Sequence, residues 1–236
     1  MAHPVRTRVI VFDFDGTLVD SAPIKTDAFT ELYRQFGDEI AEEVRRRHLA
    51  AEGVSRFIKF REWHRELLGQ DCDDDAAATL SAGFDRLVEE RIVAAPEIPG
   101  ARRALEQLSE RLPLYIASAT PEESLRRIVD ERGMSGFFTG VHGIPTTKVD
   151  VIESVAVAHR CEPSEVLMVG DAESDRQAAE QAGASFIGVV PGQVDAECRD
   201  DEGDASQLPD AVHPWTAPGS NIQTVSDLST LITSLL

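Results

Sequence analysis

The chain has 236 residues, of which 42% are hydrophobic, and its formal net charge at pH 7 is −19. This length predicts one large or two small domains with a sizeable core. The negative charge argues against nucleic acid or a membrane surface as a partner, because both are themselves negatively charged. No apolar run reaches the ~20 residues that cross a bilayer. The first apolar run starts too early to follow a signal peptide, so we expect none.

The cysteines indicate a reducing compartment. Cys72, Cys161 and Cys198 are odd in number, widely spaced and without a metal-ligand spacing. This usage is typical of free thiols, which predicts a cytoplasmic protein. The sequence indicates no particular oligomeric state.

The first predicted element is a strand that ends in paired carboxylates. The residues Val9–Phe12 are apolar and mostly β-branched, as in a strand buried on both faces, and Asp13 and Asp15 follow directly. Ligand sites of parallel sheets lie beyond the carboxyl ends of strands, and residues i and i+2 of an extended chain point the same way. We therefore expect both carboxylates at one site, where their repulsion predicts a divalent cation. The alternative is an Asp-Gly hairpin turn, but a helical pattern follows instead.

The next 75 residues or so have helical spacing and no strand pattern. Helices are predicted between Ser21, as N-cap, and Gly37, over residues 39–51 and 55–68, and from the acidic run 71–75 to about residue 95. We interpret the acidic run as a solvated turn and N-cap, with metal binding as the alternative.

From Pro96 the pattern changes to alternating strands and helices, which is typical of a parallel α/β sheet. Strands are predicted at 114–118, 137–141, 166–171, 185–190 and, at an edge, 222–225, with helices at 100–111, 121–132, 149–160, 174–182 and at the C-terminus. Residues 191–220 are predicted to form a long surface loop. The sequence thus predicts a Rossmann-like core, residues 1–19 and 96–236, with a helical cap, residues 20–95, inserted after the first strand.

Three further segments of this core carry polar residues at strand ends or helix starts. Ser118 ends a predicted strand, where its hydroxyl and the backbone amide of Ala119 are suited to phosphate oxygens. Lys148 precedes a helix and could neutralise charge on a phosphorylated carboxylate; a solvated surface lysine is the alternative. Asp171 ends another predicted strand, and Asp175 begins the helix after it.

The segment Asp13-Phe-Asp15-Gly-Thr-Leu-Val-Asp resembles the first motif of the haloacid dehalogenase-like hydrolases. It is most similar to the branch that contains phosphoglycolate phosphatase and β-phosphoglucomutase. Ser118, Lys148 and Asp171 resemble the family's later motifs in the same order, although Val149 stands where this branch commonly has proline. The dehalogenases themselves lack an aspartate at the position of Asp15 and use no magnesium, so Asp15 points to phosphoryl transfer.

The resemblance implies phosphoryl transfer through an aspartyl phosphate, with Mg²⁺ as the cofactor. It implies that Asp13 is the nucleophile and that Asp15 is the general acid and base. The phosphoryl group would be positioned by Thr17, Ser118, Ala119 and Lys148. The predicted metal group comprises Asp13, Asp15 through its backbone carbonyl, and Asp171, with Asp175 supporting these ligands.

Three basic residues of the cap are candidates for substrate binding. Gly53-Val-Ser-Arg56 resembles the segment of β-phosphoglucomutase whose arginine holds the distal phosphate of its substrate. Arg56 and Lys59 lie three residues apart on one helix face and could bind a substrate anion; a solvated helix face is the alternative. Lys25 lies early in the first cap helix, where related enzymes place a polar residue over the site.

Together these features predict a magnesium-dependent phosphatase that acts on a small phosphate monoester, either a sugar phosphate or a compound like phosphoglycolate. The cap would be a lid that excludes water during phosphoryl transfer; the alternative is a helical subdomain that only adds stability. A phosphomutase of the β-phosphoglucomutase type and a non-catalytic phosphate-binding protein are the competing functional hypotheses.

Overall fold

A six-stranded parallel sheet forms the centre of the protein in a computed structural model that describes residues 6–51, 53–190 and 222–235. The order of the strands is β3-β2-β1-β4-β5-β6, and every neighbouring pair is parallel. Their bounds are Val9–Phe12 (β1), Leu114–Pro121 (β2), Gly140–Ile144 (β3), Val166–Gly170 (β4), Ser185–Val189 (β5) and Thr224–Val225 (β6). The predicted α/β class with a Rossmann-like sheet is confirmed.

The first strand occupies the middle of this sheet. All four residues of β1 are fully buried, and Phe12 pairs with Ile116 of β2 on one side and with Val169 of β4 on the other. A hairpin at this point is therefore wrong, because both neighbours run parallel to β1 and come from distant parts of the chain.

Helices cover both faces of the sheet, as a parallel sheet requires. One face, which includes Val9, Val11 and Met168, packs against two helices after β3 and β4; the other continues into the larger hydrophobic core. The helices of the core are Ala101–Ser109 (α5), Glu122–Glu131 (α6), Lys148–Ala158 (α7), Glu173–Ala182 (α8) and Thr230–Leu235 (α9).

The described residues between β1 and residue 95 form helices and turns, with no strand longer than an isolated bridge, as predicted. The helices are Ala22–Tyr33 (α1), Asp38–Ala50 (α2), Arg56–Trp63 (α3) and Asp74–Ala94 (α4), with a 3-10 turn at Arg34–Phe36 and a π-helical turn at His64–Leu68. Aromatic rings hold these helices together: Phe29 of α1 lies 5.2 Å from Trp63 and 4.3 Å from Phe84, measured between ring centroids. Asp73 caps α4 by accepting from the Ala76 amide, which confirms the N-cap predicted in the acidic run.

Two adjacent chain segments connect the helical insertion to the sheet. Val19 and Glu97 form an antiparallel bridge, and the Asp20 amide donates to the Pro96 carbonyl at 3.0 Å. Arg132 donates from one guanidinium nitrogen to three carbonyls at the end of α4, among them Ile92 at 2.7 Å. The division into a core (1–19, 96–236) and a cap (20–95) stays a prediction.

Two local predictions are corrected. The strand predicted at 137–141 begins at Gly140, because Phe137 and Phe138 pack against the larger core before the pairing of Gly140 with Tyr115 begins. Ser21 precedes α1 but makes no side-chain cap; its hydroxyl donates to the Asp15 carboxylate instead. The predicted surface loop at 191–220 lies outside the described residues.

Among the helices of the described ranges, none is both long enough and apolar enough to cross a membrane. Cys72 and Cys161 are free thiols, as predicted, and Cys198 lies outside the described residues.

Candidate active site

Three carboxylates meet where the central strands end. Asp13 directly follows β1 and is buried, Asp171 directly follows β4 and is partly buried, and Asp175 lies fully buried in the first turn of α8. One oxygen of each lies within 4.8 Å of the others. The parallel sheet creates this cluster because β1 and β4 are neighbours that end at the same edge.

Lys148 supplies the positive charge next to this cluster. Its ammonium lies 3.1 Å from Asp13 Oδ2 and forms an ion pair with Asp175. Lys148 is the first residue of α7, whose start is fixed by a capping box between Thr147 and Asp150. The lysine is almost completely buried, so the alternative of a solvated surface residue is wrong.

The electrostatics of the cluster favour a cation. Burial raises the pKa of Asp13 from 3.8 to about 7, with Asp175 and Asp15 adding to the shift and Lys148 opposing it. Burial, followed by the charges of Asp13 and Asp175, also raises the pKa of Asp171. Burial opposes the charge on Lys148, but Asp13 and Asp175 outweigh it and raise its pKa, so it stays an ammonium. One lysine does not balance three carboxylates, and hard carboxylate oxygens at this spacing suit a divalent ion such as Mg²⁺.

Asp175 has both oxygens engaged within the protein. Oδ1 faces Lys148, and Oδ2 accepts from the Ala172 amide at 3.0 Å. Gly170 is required behind it, since a Cβ there would collide with the Asp175 carboxyl group. These contacts fit the supporting position that the sequence predicts for Asp175.

Asp15 lies in a different electrostatic environment from Asp13. Its carboxylate pairs with the Lys25 ammonium and accepts from the hydroxyls of Ser21 at 2.7 Å, Thr120 at 3.0 Å and Ser118 at 3.4 Å. Although burial favours the neutral acid, Lys25 and the hydroxyls of Ser21 and Thr120 lower the pKa of Asp15. The sequence did not identify Thr120, whose only signal is its position two residues after Ser118.

Thr17 contacts the site through another residue. Its hydroxyl donates to Asp171 Oδ1 at 2.7 Å, and the side chain is fully buried outside the cavity described below. Gly16, with φ of 84°, allows this close packing, because a Cβ there would collide with the Asp171 carboxylate. The structure shows a contact between Thr17 and the Asp171 carboxylate, and the role of Thr17 in positioning a phosphoryl group stays a prediction.

A cavity of about 580 Å³, its open mouth included, separates these carboxylates from the helical insertion. Its floor comes from the sheet edge and its roof from α1 to α4. The floor residues are Asp13, Asp15, Ser118, Ala119, Asp171 and Ala172, and the polar roof residues are Lys25, His48, Arg56 and Lys59. The fold thus brings all three basic candidates of the cap into one cavity with Asp13 and Asp15.

Arg56 and Lys59 are buried, with 5% and 3% exposure, so the alternative of a solvated helix face is wrong. Arg56 forms an ion pair with Asp85 and lies 4.4 Å above the Phe84 ring centroid. The Lys59 ammonium lies 2.8 Å from Nδ1 of His48.

His48 is the roof residue that sequence reasoning missed. It lies on the buried face of α2 with Ala41 and Val44, at helical spacing. The available signal was a polar residue on an otherwise apolar face. Burial, followed by the charges of Lys59 and Lys25, lowers the pKa of His48 to about 2. The ring is therefore neutral.

The model of the haloacid dehalogenase-like hydrolases matches residues 7–183 of this chain. A phosphoglycolate phosphatase from Pseudomonas putida is 28% identical over 205 residues, which are 80% of this chain and 74% of that protein. Two solved structures share the fold. A predicted phosphoglycolate phosphatase from Haemophilus somnus has a TM-score of 0.67 at 16% identity over 98% of both chains. A provisionally assigned β-phosphoglucomutase from Thermotoga maritima has a TM-score of 0.62 at 19% identity over 98% of this chain and 100% of that one.

The matched range includes every motif whose side chains meet at this sheet edge, from Asp13 to Asp175. The fold and the family match therefore define a hydrolase with a cluster of carboxylates at the carboxyl ends of β1 and β4. The chain belongs to the haloacid dehalogenase-like hydrolase family, and the predicted enzyme class within it, a phosphoric monoester hydrolase, is confirmed.

The excess of negative charge predicts that Asp171→Asn stabilises the metal-free protein. Asn keeps an acceptor for Thr17 but removes a repelling charge, so the free energy of unfolding at pH 7.5 should rise by about 1 kcal/mol. Raised folded-state pKa values mean that the cluster binds more protons in the folded than in the unfolded protein between about pH 4 and 7, so its contribution to stability falls as pH rises through this window. The gain should therefore shrink at pH 5.

Urea unfolding in the presence of a chelator measures this difference. Asp27→Asn is the control, because Asp27 is an exposed carboxylate on α1 and its loss should change stability by less than about 0.5 kcal/mol. A lower stability for Asp171→Asn at pH 7.5 would contradict the electrostatic description of the cluster.

Proposed function

We propose that this protein is a magnesium-dependent phosphatase that hydrolyses a small phosphorylated metabolite through an aspartyl phosphate on Asp13. The observation that carries the proposal is the position of Asp13. Its carboxylate is buried at the end of β1, lies 3.1 Å from the Lys148 ammonium and is grouped with Asp171 and Asp175. This arrangement offers a nucleophile, a charge-neutralising lysine and ligands for a divalent ion.

Magnesium would be held by Asp13, Asp171 and the backbone carbonyl of Asp15. When bound, it supplies positive charge that keeps Asp13 ionised and neutralises the phosphoryl oxygens. Asp175 holds Lys148 through their ion pair and holds the start of α8 through the Ala172 amide. Thr17 orients Asp171 through its hydroxyl.

In the first step, an Asp13 oxygen attacks phosphorus and the bond between phosphorus and the substrate oxygen breaks. Asp15 gives that oxygen its proton. In the second step, Asp15 takes a proton from water, the water oxygen bonds to phosphorus, and the bond to Asp13 breaks. Asp13 is then regenerated and inorganic phosphate is released.

Separate charged partners explain how two neighbouring aspartates take different roles. Asp13 faces Lys148 and the metal group, whereas Asp15 faces Lys25 and three hydroxyls. Lys25 favours the ionised Asp15 that the second step needs as a base. A substrate anion near Lys25 weakens that pairing and helps Asp15 to carry a proton in the first step.

The phosphoryl group would bind between Asp13 and three neighbours: the Lys148 ammonium, the Ser118 hydroxyl and the Ala119 amide. The helical insertion, residues 20–95, would act as the lid. Its aromatic and basic side chains form the roof of the cavity, so closure removes water from the attacking carboxylate.

The substrate is proposed to be a small phosphate monoester. The Pseudomonas putida relative is a phosphoglycolate phosphatase, which supports a compound of that type. A sugar phosphate is the other candidate. A phosphomutase would share the first step but would return the phosphoryl group to a substrate hydroxyl, so it would release little inorganic phosphate.

The test is phosphate release from a panel of metabolite phosphates with added magnesium, after chelation, and after magnesium is restored. Turnover should need magnesium, and Asp171→Ala should raise the magnesium concentration for half-maximal activity by at least about tenfold. Undiminished turnover by the chelated enzyme would overturn the metal assignment. Isomerisation of a sugar phosphate without phosphate release would favour the mutase, and inactivity across the panel would favour a binding protein.

Asp15→Asn should separate the two chemical steps. The leaving group p-nitrophenolate is stable near neutral pH and needs no proton, whereas hydrolysis of the aspartyl phosphate needs Asp15 as the base. With p-nitrophenyl phosphate this variant should therefore give a burst of about one equivalent, followed by a slow phase. Mass spectrometry should recover phosphorylated Asp13 from the variant.

Asp13→Asn is the matched control for that burst. It preserves the shape of the side chain but removes the nucleophile, so it should give neither a burst nor an adduct. Continued turnover by Asp13→Asn together with no burst from Asp15→Asn would show that the assigned roles are wrong.

Arg56 should bind the part of the substrate that is remote from the transferred phosphate. Arg56→Ala should cost about 1–3 kcal/mol in transition-state binding of the metabolite substrate, the range of a charge-assisted contact, and should barely affect p-nitrophenyl phosphate. Steady-state kinetics on both substrates measure the difference. Arg61→Ala is the control, because Arg61 lies on the same helix but is exposed and pairs with Asp74. Equal losses on both substrates would mean that Arg56 supports the fold or the chemistry.

A further inference from the structure

The ring of His48 occupies a position in the roof where the helix otherwise buries apolar side chains. Only 5% of the residue is exposed, and the ring packs 4.7 Å from the Phe29 ring centroid. Its remaining accessible surface lines the cavity above Asp13 and Asp15. Burying a polar ring in this way costs free energy of folding unless its nitrogen atoms have hydrogen-bond partners.

The partner of one ring nitrogen fixes the position of the ring proton. The Lys59 ammonium lies 2.8 Å from Nδ1 and can only donate, so Nδ1 must be the acceptor. A neutral imidazole with an unprotonated Nδ1 carries its proton on Nε2. His48 is therefore an N–H donor through Nε2.

This donor is available to a ligand. Nε2 has no hydrogen-bond partner among the described residues. It is also not fully enclosed, because the enclosed side-chain atoms without a partner in this part of the chain are Arg132 Nε and Ser174 Oγ. The atom therefore retains contact with open space, and the space beside this ring is the cavity. A nearly buried N–H in this position predicts an acceptor on the molecule that fills the cavity.

The other polar side chains of the roof have the same hydrogen-bonding character. Among the described residues that line it, Lys25, Arg56 and Lys59 carry donors only, and the one ring acceptor, Nδ1 of His48, already faces Lys59. A sugar hydroxyl both donates and accepts, so its proton would find no side-chain acceptor there. A carboxylate only accepts, and its charge suits a basic roof.

We propose that His48 is a substrate-binding residue whose Nε2–H donates to an anionic, acceptor-only group, a carboxylate, at the end of the substrate remote from the phosphoryl group. This inference rests on the proposed phosphatase function and selects the carboxylate-bearing substrate over the sugar phosphate. Lys59 holds the ring in the required orientation, and Phe29 supports its face.

The test compares two phosphate esters of equal length, 2-phosphoglycolate and 2-hydroxyethyl phosphate, which differ in the carboxylate alone. Both are assayed with magnesium on the wild type, on His48→Leu, which removes both nitrogen atoms, and on His48→Gln, whose amide N–H reaches about the position of Nε2. The wild type should prefer the carboxylate ester. His48→Leu should lower kcat/KM for that ester by about tenfold to hundredfold, mainly through KM, and change the hydroxyl ester by less than about threefold. His48→Gln should recover most of the loss.

Three results would overturn the inference while leaving the phosphatase proposal intact. They are a wild type without preference for the carboxylate, an unchanged His48→Leu, and equal losses on both esters that His48→Gln does not reverse. Thermal unfolding of each variant separates a loss of binding from a loss of folded protein. If the wild type hydrolyses no phosphate ester with magnesium, the phosphatase proposal itself fails.

Discussion

The structure depends on concentrated negative charge at one edge of a parallel sheet. Asp13, Asp171 and Asp175 are brought together by neighbouring strands, and one buried lysine, Lys148, lies among them. This arrangement opposes folding, since burial and mutual repulsion raise the pKa values of Asp13 and Asp171. A fold keeps such a cluster when the charge has a use, and the use proposed here is a site for a divalent cation and a phosphoryl group.

The surrounding residues separate the two aspartates of the first motif. Both line one cavity, yet Asp13 contacts Lys148 in the carboxylate cluster, while Asp15 contacts Lys25 and a set of hydroxyls. Their pKa values move in opposite directions. Opposite shifts in adjacent carboxyl groups are typical of sites that need a nucleophile and a proton carrier, which agrees with the roles proposed here.

The helical insertion contributes the other half of the cavity. An aromatic cluster around Phe29 and Phe84 gives it a rigid centre, and Arg56, Lys59 and His48 are packed against these rings. Rigid backing holds the long basic side chains in place, which reduces the entropy lost when they bind an anion. The basic roof is complementary to an anion at the remote end of the proposed substrate, and the acidic floor would accept the phosphoryl group at the other end only together with the proposed divalent ion.

Apolar periodicity and residues at strand ends are local signals, so the sequence was enough to predict the sheet class, the order of strands and helices, and the aspartates. Its errors were local as well: Phe137 and Phe138 looked like a strand but pack into the core. The partner of each polar side chain became known from the folded structure, as with Thr17 on Asp171, Lys25 on Asp15 and Lys59 on His48. The members of each pair lie on different elements of the fold, so their contact depends on tertiary packing, which local patterns do not encode. That packing sets both the charge state of each group and the atom that it presents to the cavity.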